Sequence, residues 1–136
     1  MILLVLFAIA LAFPTRGQGA SSVVYLVSVD GMIDLGLAPF VERILDEAIG
    51  AEAQAVILEI NTFGGRVDAA VQIRDALLRA RVPTVAFVNK RAISAGALLS
   101  LAAERIAMAE AATIGAATPI EIGQPGGPAQ PVAEKT

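Results

Sequence analysis

The chain has 136 residues, 56% of them hydrophobic and 17% charged, with a net charge of −3. That length suits one domain with a single core, the apolar fraction excludes disorder by composition, and the acidic balance argues against a nucleic-acid partner. Histidine and cysteine are both absent, which removes the Ser-His-Asp triad, thiol catalysis, disulfides and the commonest zinc ligands.

Acid-base chemistry near neutral pH therefore falls to a carboxylate, a lysine or water. The aromatic content is 4%, so the core has to be built from Ala, Val, Ile and Leu.

The first element is an apolar run from Ile2 to Phe13. It is too short for a bilayer span, which takes about 20 residues. It reads as the hydrophobic part of a signal peptide within residues 1–20, followed by Pro14 and the small-residue stretch Gly17-Gln18-Gly19-Ala20-Ser21. An uncleaved membrane anchor is the alternative. Either reading places residues 21–136 outside the cytoplasm.

From Val23 to Val29 a β-rich run ends at Asp30-Gly31. Pro39 then sits where a first helical turn belongs. Phe40, Val41, Ile44, Leu45 and Ala48 follow at helical spacing, with Gly50 as the stop signal. Ala55 to Ile60 is continuously apolar but for Glu59, as a parallel strand buried on both faces would be. The segment Asn61-Thr62-Phe63-Gly64-Gly65 reads as a turn. Beyond it Val67, Ala70, Val71, Leu77 and Leu78 mark a helix that ends before Pro83.

Thr84 to Val88 is a third strand, Asn89 to Ile93 a connection, and an Ala-rich helix opens near Ser94. Arg105–Ala109 and Ala112–Gly115 return to extended chain, and Gly123 to Pro131 reads as a loop. Strands alternating with helices predict βαβ units and a mostly parallel sheet, an α/β fold. The stop at Thr136, just after the Glu134-Lys135 pair, reads as a C-terminal truncation.

Three places can carry chemistry. Gly64-Gly65 lies between a buried strand and a helix, where backbone N–H groups and a helix N-terminus can hold an oxyanion or a phosphate. An ordinary strand-to-helix turn is the alternative. The dinucleotide fingerprint and the Walker lysine are both missing. Ser94 follows a strand and opens a helix of small residues, the setting of a nucleophile whose hydroxyl projects beyond the sheet. A plain helix N-cap is the alternative. Lys135 can activate a serine if its pKa falls from about 10.4 toward 7–8, and a solvated surface lysine is the alternative. Lys90 is the other lysine of the chain.

Together, Asn61-Thr-Phe-Gly-Gly65, Ser94-Ala95-Gly96, Ile106-Ala-Met-Ala109 and Thr113-Ile-Gly-Ala-Ala-Thr-Pro119 resemble the catalytic domain of the NfeD-type membrane-bound serine proteases. These are the stomatin operon partner proteins of the ClpP class. The resemblance implies a ClpP/crotonase-like fold of stacked βαβ units and a Ser-Lys dyad, with Ser94 as nucleophile and Lys135 as general base. It implies Gly64 and Gly65 as oxyanion-hole donors, with no cofactor and no metal. It further implies cleavage of hydrophobic peptide segments near membranes, a stomatin-like membrane protein as partner, and a homo-oligomer. Members of the family often carry Asp and Pro where this chain has Asn61 and Phe63. Three other readings stay open: a non-catalytic module that binds a membrane partner, a signal-peptide-peptidase-like protease with the same dyad, and a crotonase-type acyl-CoA enzyme.

Overall fold

The computed structural model describes residues 23–117 together with the short pairing segments 120–121 and 130–131. The expected signal segment, the Gly/Pro-rich loop between those two segments and Lys135 lie outside the described residues. The elements alternate: β1 (Val24–Ile33), α1 (Leu37–Gly50), β2 (Ala55–Gly65), α2 (Val67–Arg79), β3 (Thr84–Ile93), α3 (Ala95–Ala102), β4 (Arg105–Met108) and β5 (Thr113–Gly115). A further antiparallel pair joins β6 (Ile120–Glu121) to β7 (Gln130–Pro131).

The sheet order is β1-β2-β3-β4 with β5 also paired to β3, and every one of these pairings is parallel. This is the expected α/β fold with a mostly parallel sheet. Alternate residues show which face is covered. Val27 and Val29 of β1, Val56, Leu58 and Ile60 of β2, and Ala86 and Val88 of β3 are buried beneath α1 and α3, which pack on those strands, and α2, which packs between the two helices. On the other face Leu26 and Ser28 are exposed and Ile57, Val85 and Phe87 are half-buried.

The three long strands run further than the composition of their ends suggests. Expected stops at Asp30-Gly31, a turn at Asn61–Gly65 and a connection at Asn89–Ile93 are all strand. Two register shifts explain this: one between Asp30 and Met32 against β2, one between Ile60 and Thr62 against β3. Past each shift the pairing resumes, so polar and glycine residues that look like turns are carried by their neighbours. β4 supports the first part of β3 at Val85–Val88, and β5 supports the second part at Arg91–Ile93. The ends of β1, β2 and β3 thus form a second strip of sheet beyond the shifts, and the candidate site lies there.

α1 begins two residues before Pro39, which remains in the first turn where a missing N–H costs no helical bond. Asp34 Oδ1 accepts from the N–H groups of Gly36 and Leu37 at 2.9 and 3.1 Å and so caps the helix. Gly50 is the last residue of the helix, as expected. The helix closes at Ala51 with Glu52 in the left-handed region at φ 49, and the Glu52 and Ala53 N–H groups donate to Ile49 and Ala48 carbonyls. That is a Schellman motif built on a non-glycine residue.

On α2 the buried stripe is Ala69, Ala70, Ile73, Ala76 and Leu77, while Val67 and Leu78 of the expected pattern face outward. The core is aliphatic, and Ile33, Leu58, Ile60, Ile73 and Leu99 are fully buried within it. Its buried hydroxyls are satisfied: Ser100 donates to the Gly96 carbonyl at 2.8 Å, and Thr84 Oγ1 accepts from the Glu104 N–H at 3.0 Å.

Candidate active site

β3 ends at Ile93 and α3 starts at Ala95, so Ser94 alone makes the turn between them. Its backbone stands at φ 53, ψ −116, outside the regions open to most L-residues. Three bonds hold it there. The Ser94 N–H donates to the Gly115 carbonyl at 2.9 Å, and the Ser94 carbonyl accepts from Ala97 and Leu98 at 3.0 and 3.3 Å. Strain of this kind persists only where the surroundings enforce it, and it concentrates at functional sites.

The side chain makes no capping hydrogen bond. This bears directly on the N-cap alternative, in which the hydroxyl oxygen would accept from the first turn of α3. Ser94, half-buried, lines a small cavity of about 180 Å³ together with Val67, Ala70, Ala95, Leu98 and Ala117.

The glycine pair lies against this turn. Gly64 is at φ 110, and a methyl group built on it would stand 2.8 Å from Ser94 Cβ and 3.2 Å from the Ala95 nitrogen. A methyl on Gly65 would stand 2.1 Å from the Ile33 carbonyl oxygen. Both positions therefore need glycine for close backbone approach. The Gly64 N–H donates to Thr62 Oγ1 at 2.9 Å, so this donor, one of the two expected for an oxyanion, is already engaged. Among the described residues no side chain holds the Gly65 N–H. A further candidate donor, not singled out from the sequence, is Ala95. As the first residue of α3 it has an N–H without an intrahelical partner, and it follows the serine as an oxyanion donor does on a nucleophile elbow. A backbone donor carries no signature of residue type, so its position after Ser94 was the signal available.

On the far side of Gly64 lies a larger groove of about 580 Å³, lined by Asp30, Gly31, Met32, Asn61, Thr62, Phe63, Gly64, Gly65, Lys90 and Arg91. Met32 and Phe63 are 77% and 74% exposed there and form an apolar rim. The Arg91 guanidinium stacks over the Phe63 ring at 4.4 Å. Asn61 donates to Asp30 at 3.3 Å across the floor. Beside the glycine pair, Arg66 grips Asp68 through two bonds of 3.0 and 2.6 Å, and Asp68 Oδ1 accepts from the Ala69 N–H. The Arg66 guanidinium, chiefly through this hydrogen bonding, holds the Asp68 carboxyl below the usual carboxylate range. The described residues contain no cluster of metal-ligating side chains.

The mostly parallel α/β sheet is a ClpP-like fold, and in it Ser94 stands on a strand-to-helix turn backed by glycine at the end of the adjacent strand. Residues 23–135 match the family described as NfeD1b, N-terminal domain, and the chain belongs to that family. It is 39% identical over 106 residues to membrane protein NfeD1b of Bacillus subtilis, covering 78% of this chain and 24% of that protein. It is 32% identical over 120 residues to a membrane-bound protease of Pyrococcus horikoshii, covering 86% of this chain and 27% of that protein. The chain thus spans about a quarter of the length of these curated relatives.

Among solved structures, the 1510-N membrane-bound stomatin-specific protease superposes with a TM-score of 0.77 as its serine-to-alanine mutant, at 29% identity over 84% of this chain and 56% of that one. Its lysine-to-alanine mutant, in complex with a substrate peptide, gives a TM-score of 0.77 at 30% identity over 84% of this chain and 53% of that one. The relatives are membrane proteins and proteases by name. No described helix of this chain is long and apolar enough to cross a membrane.

Proposed function

We propose that the chain is the nucleophile-bearing part of a serine endopeptidase that works by an acyl-enzyme mechanism with a Ser-Lys dyad. The observation that carries this reading is Ser94 itself: held at positive φ on the turn into α3, with its hydroxyl free of the capping role that an ordinary helix-opening serine would play. A second observation supports the dyad. The serine and the lysine altered in the two mutant structures of the stomatin-specific protease are separated by the same number of residues as Ser94 and Lys135.

In this mechanism Ser94 Oγ attacks the carbonyl carbon of a peptide bond while neutral Lys135 Nζ takes the hydroxyl proton. The N–H groups of Gly65 and Ala95 receive the oxyanion, each such donor contributing about 3–4 kcal/mol to the transition state. Gly64 serves by having no side chain, which lets the end of β2 approach Ser94, and its own N–H stays on Thr62. Lys135 returns the proton to the leaving amine. Water then attacks the ester carbon, and the acid product and Ser94 are released.

The substrate class is a hydrophobic peptide segment of a membrane-associated protein, a stomatin-like protein among the candidates. The exposed Met32 and Phe63 on the groove beside Gly64 support an apolar segment. The site belongs outside the cytoplasm, at the membrane, in a homo-oligomer.

Peptide hydrolysis tests the reading. The full-length protein should cleave a hydrophobic peptide, and Ser94→Ala and Lys135→Ala should each abolish cleavage while retaining the parent melting behaviour. A folded parent that binds the peptide without cleaving it would instead make this a binding module.

A further inference from the structure

Thr62 is buried to 1% exposure in the middle of the site, at the border of the larger groove. Both branches of its side chain are used. Its hydroxyl oxygen accepts the Gly64 N–H at 2.9 Å and donates to the Gly31 carbonyl, with the Gly64 carbonyl a further acceptor at 3.2 Å. Its methyl lies where Gly96 leaves room: a methyl built on Gly96 would stand 2.5 Å from Thr62 Cγ2. One side chain therefore joins three backbone segments. These are the shifted end of β1 at Gly31, the glycine pair at the end of β2, and the second residue of α3, two positions after Ser94.

We infer that Thr62 is the positioning residue of this site, fixing the Gly64 peptide through its hydroxyl so that Gly65 and the Ser94–Ala95 turn meet in one geometry. The inference rests on the nucleophile reading of Ser94. Gly64 stands at φ 110, where glycine has wide conformational freedom. A glycine pair left to itself would sample several orientations of its N–H groups, and an oxyanion site depends on donors that are preorganised. The Thr62 hydroxyl removes that freedom with two directed bonds, and the methyl seats the same residue against α3. No other described side chain bonds both the glycine pair and the end of β1.

The experiment compares Thr62→Val, which keeps the shape and removes the hydroxyl, with Thr62→Ser, which keeps the hydroxyl. Thr84→Val serves as control, since Thr84 is a buried threonine holding one backbone N–H at the other end of β3. The readouts, on the full-length protein, are the labelling rate of Ser94 by a fluorophosphonate and the hydrogen exchange of the Gly64 amide. Labelling by Thr62→Val should fall about 10–100-fold, the loss that a small displacement of reacting groups brings. Thr62→Ser should recover most of the rate, and Thr84→Val should label like the parent. The Gly64 amide should be protected in the parent and in Thr62→Ser, and exposed in Thr62→Val.

Equal labelling by Thr62→Val and the parent overturns the inference and leaves the nucleophile intact, as does a Thr62→Ser rate as low as that of Thr62→Val. If Thr62→Val fails to fold, the parent decides: a Gly64 amide exchanging as fast as a free loop amide refutes the bond. A folded parent in which Ser94 never labels removes the nucleophile reading first and this one with it.

Discussion

Gly64 packs against Ser94 so closely that a methyl group on the glycine would lie 2.8 Å from the serine Cβ and 3.1 Å from the Ile93 carbonyl oxygen. The end of one strand thereby fixes how the next strand turns into its helix. The two candidate parts of the site, far apart in sequence, are one packing unit.

Gly64→Ala follows from that contact. The new methyl has no room, and the position is held at φ 110. The variant should be less stable by about 1–3 kcal/mol, read as a lower denaturant midpoint in urea, and should lose Ser94 labelling as the turn is pushed away.

Ser94 carries strain that glycine would not. Replacing it with glycine removes the Cβ that makes φ 53, ψ −116 unfavourable, whereas alanine keeps it. Ser94→Gly should therefore melt higher than Ser94→Ala, by a stability difference of about 1 kcal/mol or more, although neither has a nucleophile. Equal melting of the two would show that the turn is unstrained.

Glu52 offers the same test away from the site. It occupies the left-handed position of the Schellman motif that ends α1. Glu52→Gly should stabilise the fold by about 1 kcal/mol and leave peptide cleavage at the parent rate, measured by thermal melts beside the hydrolysis assay.

Phe63 rims the larger groove and is 74% exposed, so its removal leaves the core alone. Phe63→Ala should raise KM for a hydrophobic peptide severalfold with kcat little changed, the pattern of lost uniform binding. Unchanged KM would place the peptide elsewhere.

Much of this was legible in the sequence. Apolar runs such as Ala55–Ile60 and the helical spacing of Val41, Leu45 and Ala48 gave the order of strands and helices, because burial on one covered face imposes those periods. Strand lengths were not legible. Asn61–Gly65 and Asn89–Ile93 have turn chemistry, and they are extended because register shifts let neighbouring strands carry them. Nor was the Schellman motif beyond Gly50 legible, since Glu52 and not a glycine takes its left-handed position. At the site, the serine and glycines were visible as residue types. The positive φ of Ser94 was hidden because serine also opens ordinary helices, and Ala95 was hidden as a candidate because all it can offer is a backbone N–H. Thr62 read as part of a turn, with its bonds to Gly31 and Gly64 apparent only in three dimensions.

The most direct test of the central claim is to expose the full-length protein to a fluorophosphonate and map the adduct by tandem mass spectrometry. The account predicts one modified residue, Ser94, with no adduct in Ser94→Ala and slow modification in Lys135→Ala. An adduct on another residue, or a folded protein in which Ser94 stays unmodified, would contradict it.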